Sequence, residues 1–297
     1  MPSRRSYLAG FGGSLGTLGL AGCIGARPPT QSVRETRTPT PRPEPHAFGE
    51  RVILGSVGVT PQVVQVQESF HRVLNSSWGA VEHVEGHWVV FVELAVDTPE
   101  TASIPLDSIR LVAGDDVFVA REIFADVPAR EVYLDHLISP QLPYDPNSNR
   151  TGWVGFVVPS EYSGSDDATL HIESDGDIVE WTLPSADVNR LSDPLPRFEL
   201  VSFDAPRTVP FDGTVEVEIT AKNVGSVDGV FRACVNTNGP IDTRRPRRRR
   251  VPLDAGTEAT TTVELRASNY VSEVGDSFEC YLSTAGFGRS LSISVGE

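Results

Sequence analysis

Lysine is almost absent from this chain of 297 residues: of 25 basic side chains only Lys222 is one, and the rest are arginine. Bases as a whole are also short, 25 against 40 carboxylates, for a formal charge of −15. That balance excludes a general nucleic-acid binder, because neutralising phosphates requires net Lys and Arg. It suits a high-salt habitat, where a Debye length of ~3 Å screens ordinary charges and excess carboxylate keeps a protein soluble. An ordinary acidic protein from a GC-rich genome would show the same bias. Neither H-E-x-x-H nor C-x-x-C occurs, so the two simplest zinc and redox signatures are missing. Gly and Pro, 26 and 23 residues, fall well short of the ~25–30% of a wholly disordered chain. What remains is a folded, acidic chain long enough for one large or two ordinary domains.

The first 22 residues read as an address rather than as structure. Arg4 and Arg5 precede a weakly apolar, glycine-rich stretch from Leu8 to Gly22, which resembles a twin-arginine export signal. Leu20-Ala21-Gly22-Cys23 follows directly and resembles a lipobox, which implies cleavage before Cys23 and a lipid on it. The interval from Arg5 to Cys23 is too short and too rich in glycine for a stable membrane span. Gly12-Gly13-Ser14-Leu15-Gly16 matches the G-x-S-x-G nucleophile pattern. It lies in the segment expected to be removed, with no β-rich flank, and is set aside. Residues 23–49 contain Pro28, Pro29, Pro39, Pro41, Pro43 and Pro45, a density that forbids helix and favours an extended stalk of ~3.1 Å per residue.

From Glu50 the apolar runs become short, β-branched and bounded by Gly, Pro, Asp or Asn. Strands are expected at 51–57, 63–73, 80–85, 87–97, 108–112, 117–121, 152–158, 169–174 and 178–183, with one helix-like stretch at 128–138. Residues 186–196 read as a linker. A second run follows at 198–203, 214–223, 230–236, 249–253, 260–266, 277–283 and 290–295. The fold class expected is therefore all-β, with two immunoglobulin-like β-sandwich modules at 50–185 and 197–297, the second of the size of an immunoglobulin-like domain.

Val215 to Gly225, with Leu253-Asp254-Ala255-Gly256 leading into Thr260 to Val263, resembles the strand-and-turn pattern of CARDB (cell-adhesion-related) domains. Trp88 to Leu94, Ile109 to Val112 and Gly152 to Pro159 resemble immunoglobulin-like domains of unknown function in exported prokaryotic lipoproteins. Both resemblances imply binding or display, and neither implies catalytic residues.

The candidate sites follow from that setting. Cys234 and Cys280 are the cysteines left after Cys23, and in an exported domain two such residues favour a disulfide. Strict alternation puts them on opposite sheet faces, so the bond requires a bulge. His83, Glu85 and His87 fall at period 2 and would share one face of a strand, but Gly86 favours a turn with exposed histidines. Asp115-Asp116 and Asp175-Gly176-Asp177 read as turns. No metal and no cofactor is expected. Asn75 and Asn149 open N-glycosylation sequons, and Trp78, in the loop after Asn75, is the best aromatic platform for a glycan. Arg244, Arg245, Arg247, Arg248, Arg249 and Arg250 form the densest charge in the chain. They are expected in a loop that is solvated, or that meets an acidic protein, anionic headgroups or this chain's own acidic module. Residues 50–185 hold 6 bases and 22 acids, whereas residues 195–297 hold 12 and 14. The expectation is a non-enzymatic, lipid-anchored surface protein for recognition, adhesion or display. The alternatives are a ligand-binding accessory subunit of a surface complex and, further off, an enzyme or metalloprotein.

Overall fold

The computed structural model describes residues 44–97, 103–120, 132–135, 141–147, 150–163, 167–174, 176–241 and 245–297. Arg4, Arg5, Cys23, Asn149 and Arg244 lie outside them.

The fold is all-β, with a single seven-residue α-helix among the described residues. The first half contributes β1 (His46–Ala47), β2 (Val52–Leu54), β3 (Val57–Gln67), β4 (Ser69–Val73), β5 (Gly79–His83), β6 (His87–Asp97), β7 (Ile109–Ala113) and β8 (Asp116–Val119). It continues with β9 (Val132–Tyr133), β10 (Thr151–Pro159), β11 (Ala168–Ser174), β12 (Asp177–Thr182) and α1 (Ser185–Leu191). A four-stranded sheet, β10-β6-β3-β2, faces a five-stranded sheet, β1-β12-β11-β7-β8, and one core fills the space between them. Strand β6 shows why its sequence reads as a continuous apolar run. Trp88, Val90, Val92 and Leu94 enter that core, while Val89 and Phe91 point the other way into a second cluster. A strand buried on both faces has little polar alternation, and Glu93, 9% exposed, is the polar residue in its interior.

What covers the second face is a small sheet, β5-β4-β9. The chain leaves the sandwich at the end of β3, steps through Glu68 and begins β4 as part of this new layer. Phe70 and Val132 then close over Phe91 and Trp153. The run expected as one strand over 63–73 is therefore two strands in two sheets. Val132–Tyr133, inside the stretch expected to be helical, is a strand paired with β4.

The second half holds β13 (Phe198–Asp204), β14 (Thr208–Pro210), β15 (Thr214–Asn223), β16 (Gly229–Asn238), β17 (Arg247–Leu253), β18 (Glu258–Arg266), β19 (Ser277–Thr284) and β20 (Phe287–Gly296). Sheets β13-β15-β18 and β14-β20-β19-β16-β17 enclose a core that includes Val217, Ile219, Phe231, Val263 and Phe278. Strict alternation in β15 puts Val215, Val217, Ile219 and Ala221 inward and Glu216, Glu218 and Lys222 outward, as a half-buried antiparallel strand requires.

The stretch expected as a linker is not a free tether. Pro184 precedes a helix over Ser185–Leu191, and Val188 and Leu191, three residues apart on one face, are buried in the first core. Proline at a helix start costs nothing there, since its missing N–H would have no intrahelical partner. The first module also begins earlier than expected, because His46–Ala47 pair with β12 and the Trp181 indole donates to the Glu50 carbonyl at 2.9 Å. Residues 43–297, both sandwiches and the small sheet between them, form one compact unit.

Candidate functional site

The small sheet has two faces, and the second one docks on the other module. Phe70 and Val132 face the first sandwich, whereas Ser69, His71 and Tyr133 face β16 and β17. Strand β16 is consequently buried on both sides. Phe231, Ala233 and Val235 enter the second core, and Arg232, Cys234 and Asn236 enter the seam between the modules.

Arg232 is the centre of that seam, with only 1% of its side chain exposed. Its Nε and Nη2 donate to the two oxygens of Asp135, at 3.3 and 2.5 Å, and Nη1 donates to Glu68 and, at 3.2 Å, to Ser69. This is the planar, forked recognition for which arginine is suited and lysine is not. Burial opposes the charge on Arg232, but the Glu68 and Asp135 carboxylates outweigh it and hold its pKa above the ordinary value. Arg250 lies directly opposite Arg232 in the β16–β17 ladder, a like-charge pairing that would repel on its own. Asp135 resolves it by also accepting from Arg250 at 2.9 Å. Arg190, on α1, reaches the other Glu68 oxygen at 3.7 Å while resting over the Trp88 ring.

Neutral contacts complete the seam. The Asn236 amide accepts from the Gly79 N–H at 2.8 Å and donates to the Gly79 carbonyl at 2.9 Å. Ser283 accepts from the Val81 N–H at 3.2 Å. Side chains of the second module thus satisfy the free edge of β5, which unpaired would expose polar backbone groups. Gly79 is required by proximity: a Cβ there would stand 3.0 Å from Cys234 Sγ and 3.1 Å from Pro246. His71 Nε2 donates to the Ala233 carbonyl at 2.9 Å, and burial lowers the His71 pKa to about 4. The ring is neutral at neutral pH.

The strand expected at 249–253 begins two residues earlier, so Arg247 and Arg248 join Arg249 and Arg250 in a strand rather than in the expected loop. Arg247 to Leu253 form β17, the edge strand beside β16. Arg248 stacks over the Tyr133 ring at 3.1 Å to its centroid, and Arg250 binds Asp135. On the opposite face of β17, Arg249 reaches the Thr262 carbonyl on β18 at 2.7 and 2.9 Å, closing the open side of the second sandwich. Arg245 and Arg247 are exposed.

The expected disulfide does not form. Both cysteines are free and buried, Cys280 in the second core and Cys234 in the seam. The register pairs Cys234 with Ser283 and Thr237 with Cys280, with no bulge to bring the thiols onto one face. Burial pushes both thiols up to about 12.

The remaining sequence candidates disperse. His83 ends β5, Glu85 and Gly86 occupy the turn, and His87 opens β6 with Nδ1 against the Glu85 carbonyl at 2.6 Å. Among the described residues, no three His, Cys, Asp or Glu side chains gather as metal ligands. Trp88, Trp153 and Trp181 are buried, whereas Trp78 packs half-buried against Tyr281 of the second module, 5.2 Å between ring centroids. Beside the ion cluster a cleft of about 180 Å³ opens between the modules, walled by Phe198 and Phe287, with Glu68, Arg232 and His83 among its lining residues. No helix among the described residues is long and apolar enough to cross a membrane.

No protein-family model and no curated protein matches the chain. Among solved structures, a β-glucosidase from Listeria innocua aligns at 21% identity and a TM-score of 0.30 over 36% of this chain and 18% of that one. A β-glucosidase from Erythrobacter marinus aligns at 16% identity and a TM-score of 0.30, over 34% of this chain and 16% of that one. The β-D-glucoside glucohydrolase of Trichoderma reesei aligns at 15% identity and a TM-score of 0.26, covering 34% of this chain and 19% of that one. The chain thus spans less than a fifth of each of these enzymes.

Proposed function

We propose that this is an exported, lipid-anchored surface protein whose proline-rich stalk carries a stiff two-module head for non-catalytic recognition or structural display. In this reading Arg4 and Arg5 direct export, Cys23 carries the lipid, and both modules are immunoglobulin-like sandwiches, the second of CARDB type. The observation that carries it is the buried Arg232, forked between Glu68 and Asp135 of the other module. A display head gains from a fixed angle between its modules, because any ligand-binding surface spanning both is then held ready without an ordering cost. The excess acid of the first module and the arginines of the second find one use in that lock. Arg245 and Arg247 stay exposed beside it as the remaining contact for an acidic protein or anionic headgroups. The cleft lined by Glu68, Phe198 and Phe287 favours a second reading, a ligand-binding accessory subunit of a surface complex.

The test is processing and exposure together. Mass spectrometry of the chain from cell envelopes should find Cys23 as a lipidated N-terminus, and protease added to intact cells should remove the head. Cys23→Ser should release the head into the medium. A chain that remains in the cytosol with Arg4 and Arg5 still attached would overturn the proposal.

A further inference from the structure

We infer that Asn75 is a glycan acceptor and that its glycan stands at the seam between the two modules. The inference rests on the export proposed above, since glycosyl transfer of this kind occurs outside the cytoplasm. Asn75 lies in the connection between β4 and β5, and this loop is held at both ends. The Leu74 and Asn75 N–H groups both donate to the Trp78 carbonyl, at 2.9 and 3.1 Å. The Trp78 ring rests on Tyr281, and Gly79 is tied to Asn236. Asn75 and Ser76 at the tip are exposed.

Within that fixed loop the two side chains of the sequon are already engaged with each other. Asn75 Oδ1 accepts from the Ser77 N–H at 3.0 Å and from the Ser77 hydroxyl at 3.1 Å. Asn75 Nδ2 donates to none of the described residues. An amide nitrogen is a poor nucleophile because its lone pair is delocalised into the carbonyl. Two donors on Oδ1 draw charge onto that oxygen and make an Nδ2 proton easier to remove. With the proton taken by a carboxylate base of the transferase, Nδ2 attacks the anomeric carbon of a lipid-phosphate-linked oligosaccharide. The N–C bond forms as the bond from that carbon to phosphate oxygen breaks, and the lipid phosphate leaves with the electron pair. Ser77 is therefore a positioning residue, and its hydroxyl is the group whose removal should matter.

The experiment is peptide mass spectrometry of the full chain purified from its own cell envelopes, compared with Asn75→Gln, Ser77→Ala and Ser77→Thr. The expected result is a sugar series on the Asn75 peptide of the native chain and of Ser77→Thr. Occupancy should fall at least tenfold in Ser77→Ala, with an unchanged melting temperature. A bare Asn75 on a chain whose Cys23 is lipidated would overturn this inference and leave the export reading standing. A bare Asn75 on a chain with an unprocessed N-terminus would overturn both. Full occupancy in Ser77→Ala would overturn the role given to Ser77.

Discussion

Strand β16 buries two regions of different character, one on each face. On one side Phe231, Ala233 and Val235 join an apolar core; on the other Arg232, Cys234 and Asn236 join a polar seam. Both are out of water, but they hold the molecule together differently. Apolar burial is non-directional, and cores tolerate substitution if volume is kept. A buried ionic seam adds little net stability over an apolar one of the same shape, yet it fails sharply when one partner is removed. The core therefore accounts for folding of the second module, and the seam for the angle at which it meets the first. The two free cysteines report on them separately, Cys280 from the core and Cys234 from the seam.

The largest effects should come from one truncation on each face. Arg232→Ala leaves Glu68 and Asp135 buried without their main partner, a loss of about 3–5 kcal/mol at the seam. Phe231→Ala should cost about the same, 3–5 kcal/mol, by opening a cavity. The difference is in which thiol reacts. Alkylation followed by mass spectrometry should show Cys234 alone modified in Arg232→Ala, and both cysteines modified in Phe231→Ala. Joint protection or joint exposure in Arg232→Ala would mean that seam and core are one cooperative unit, and the contrast drawn above would fail.

Next comes acid. His71 is neutral in the seam with its pKa lowered from 6.5 to about 4, while Arg232, Arg248 and Asp135 are the charges around it. The unfolded or opened chain binds a proton here before the native one does, so stability contributed by neutral His71 is complete above pH 6.5. It is lost as pH falls toward 4, with no further loss from this group below that. The loss amounts to roughly 3 kcal/mol over that window. Thermal melts from pH 7 to 4 should decline, and His71→Gln should flatten that part of the decline. An equally steep profile in the variant would assign the effect to other groups.

These particulars show what the sequence made legible. Strand β6 matches its expected bounds, His87–Asp97, because a long β-branched apolar run has few other solutions. The seam was invisible for the opposite reason: Arg232, Cys234 and Asn236 alternate with apolar residues just as a solvent face does, and nothing local reveals a second layer over them. The same alternation puts Cys234 and Cys280 on opposite faces, and the disulfide expected from their exported setting lacks the bulge it would need. Docking of the arginines onto the acidic module is one of the alternatives that the charge contrast leaves open beside a solvated loop, and the run of like charges hides the two residues by which β17 starts before the expected 249. Helix α1 was hidden among prolines, although Val188 and Leu191 carried its spacing.

Neutral seam contacts should matter less than the ionic ones. Asn236→Ala leaves the Gly79 N–H and carbonyl without partners, at about 1–3 kcal/mol for the stranded backbone groups. Cys234 labelling should rise modestly while Cys280 stays protected. An unchanged Cys234 rate would show that β5 does not depend on Asn236 for its edge.

The smallest effect separates charge from burial. Arg51 and Asp97 form an ion pair at 2.9 Å, similar in length to those at Asp135, but with side chains 50% and 75% exposed. Exposed pairs are worth about 0–1 kcal/mol and are screened by salt. Asp97→Asn should therefore shift the melting temperature slightly at low salt and not at all in 1 M NaCl. Asp135→Asn, which weakens the contact to Arg232, a side chain only 1% exposed, should open the seam to Cys234 labelling at both salt concentrations. If salt abolished the Asp135 effect as well, the seam would be wet, and Arg232 would act as a surface charge rather than as the buried lock between the modules.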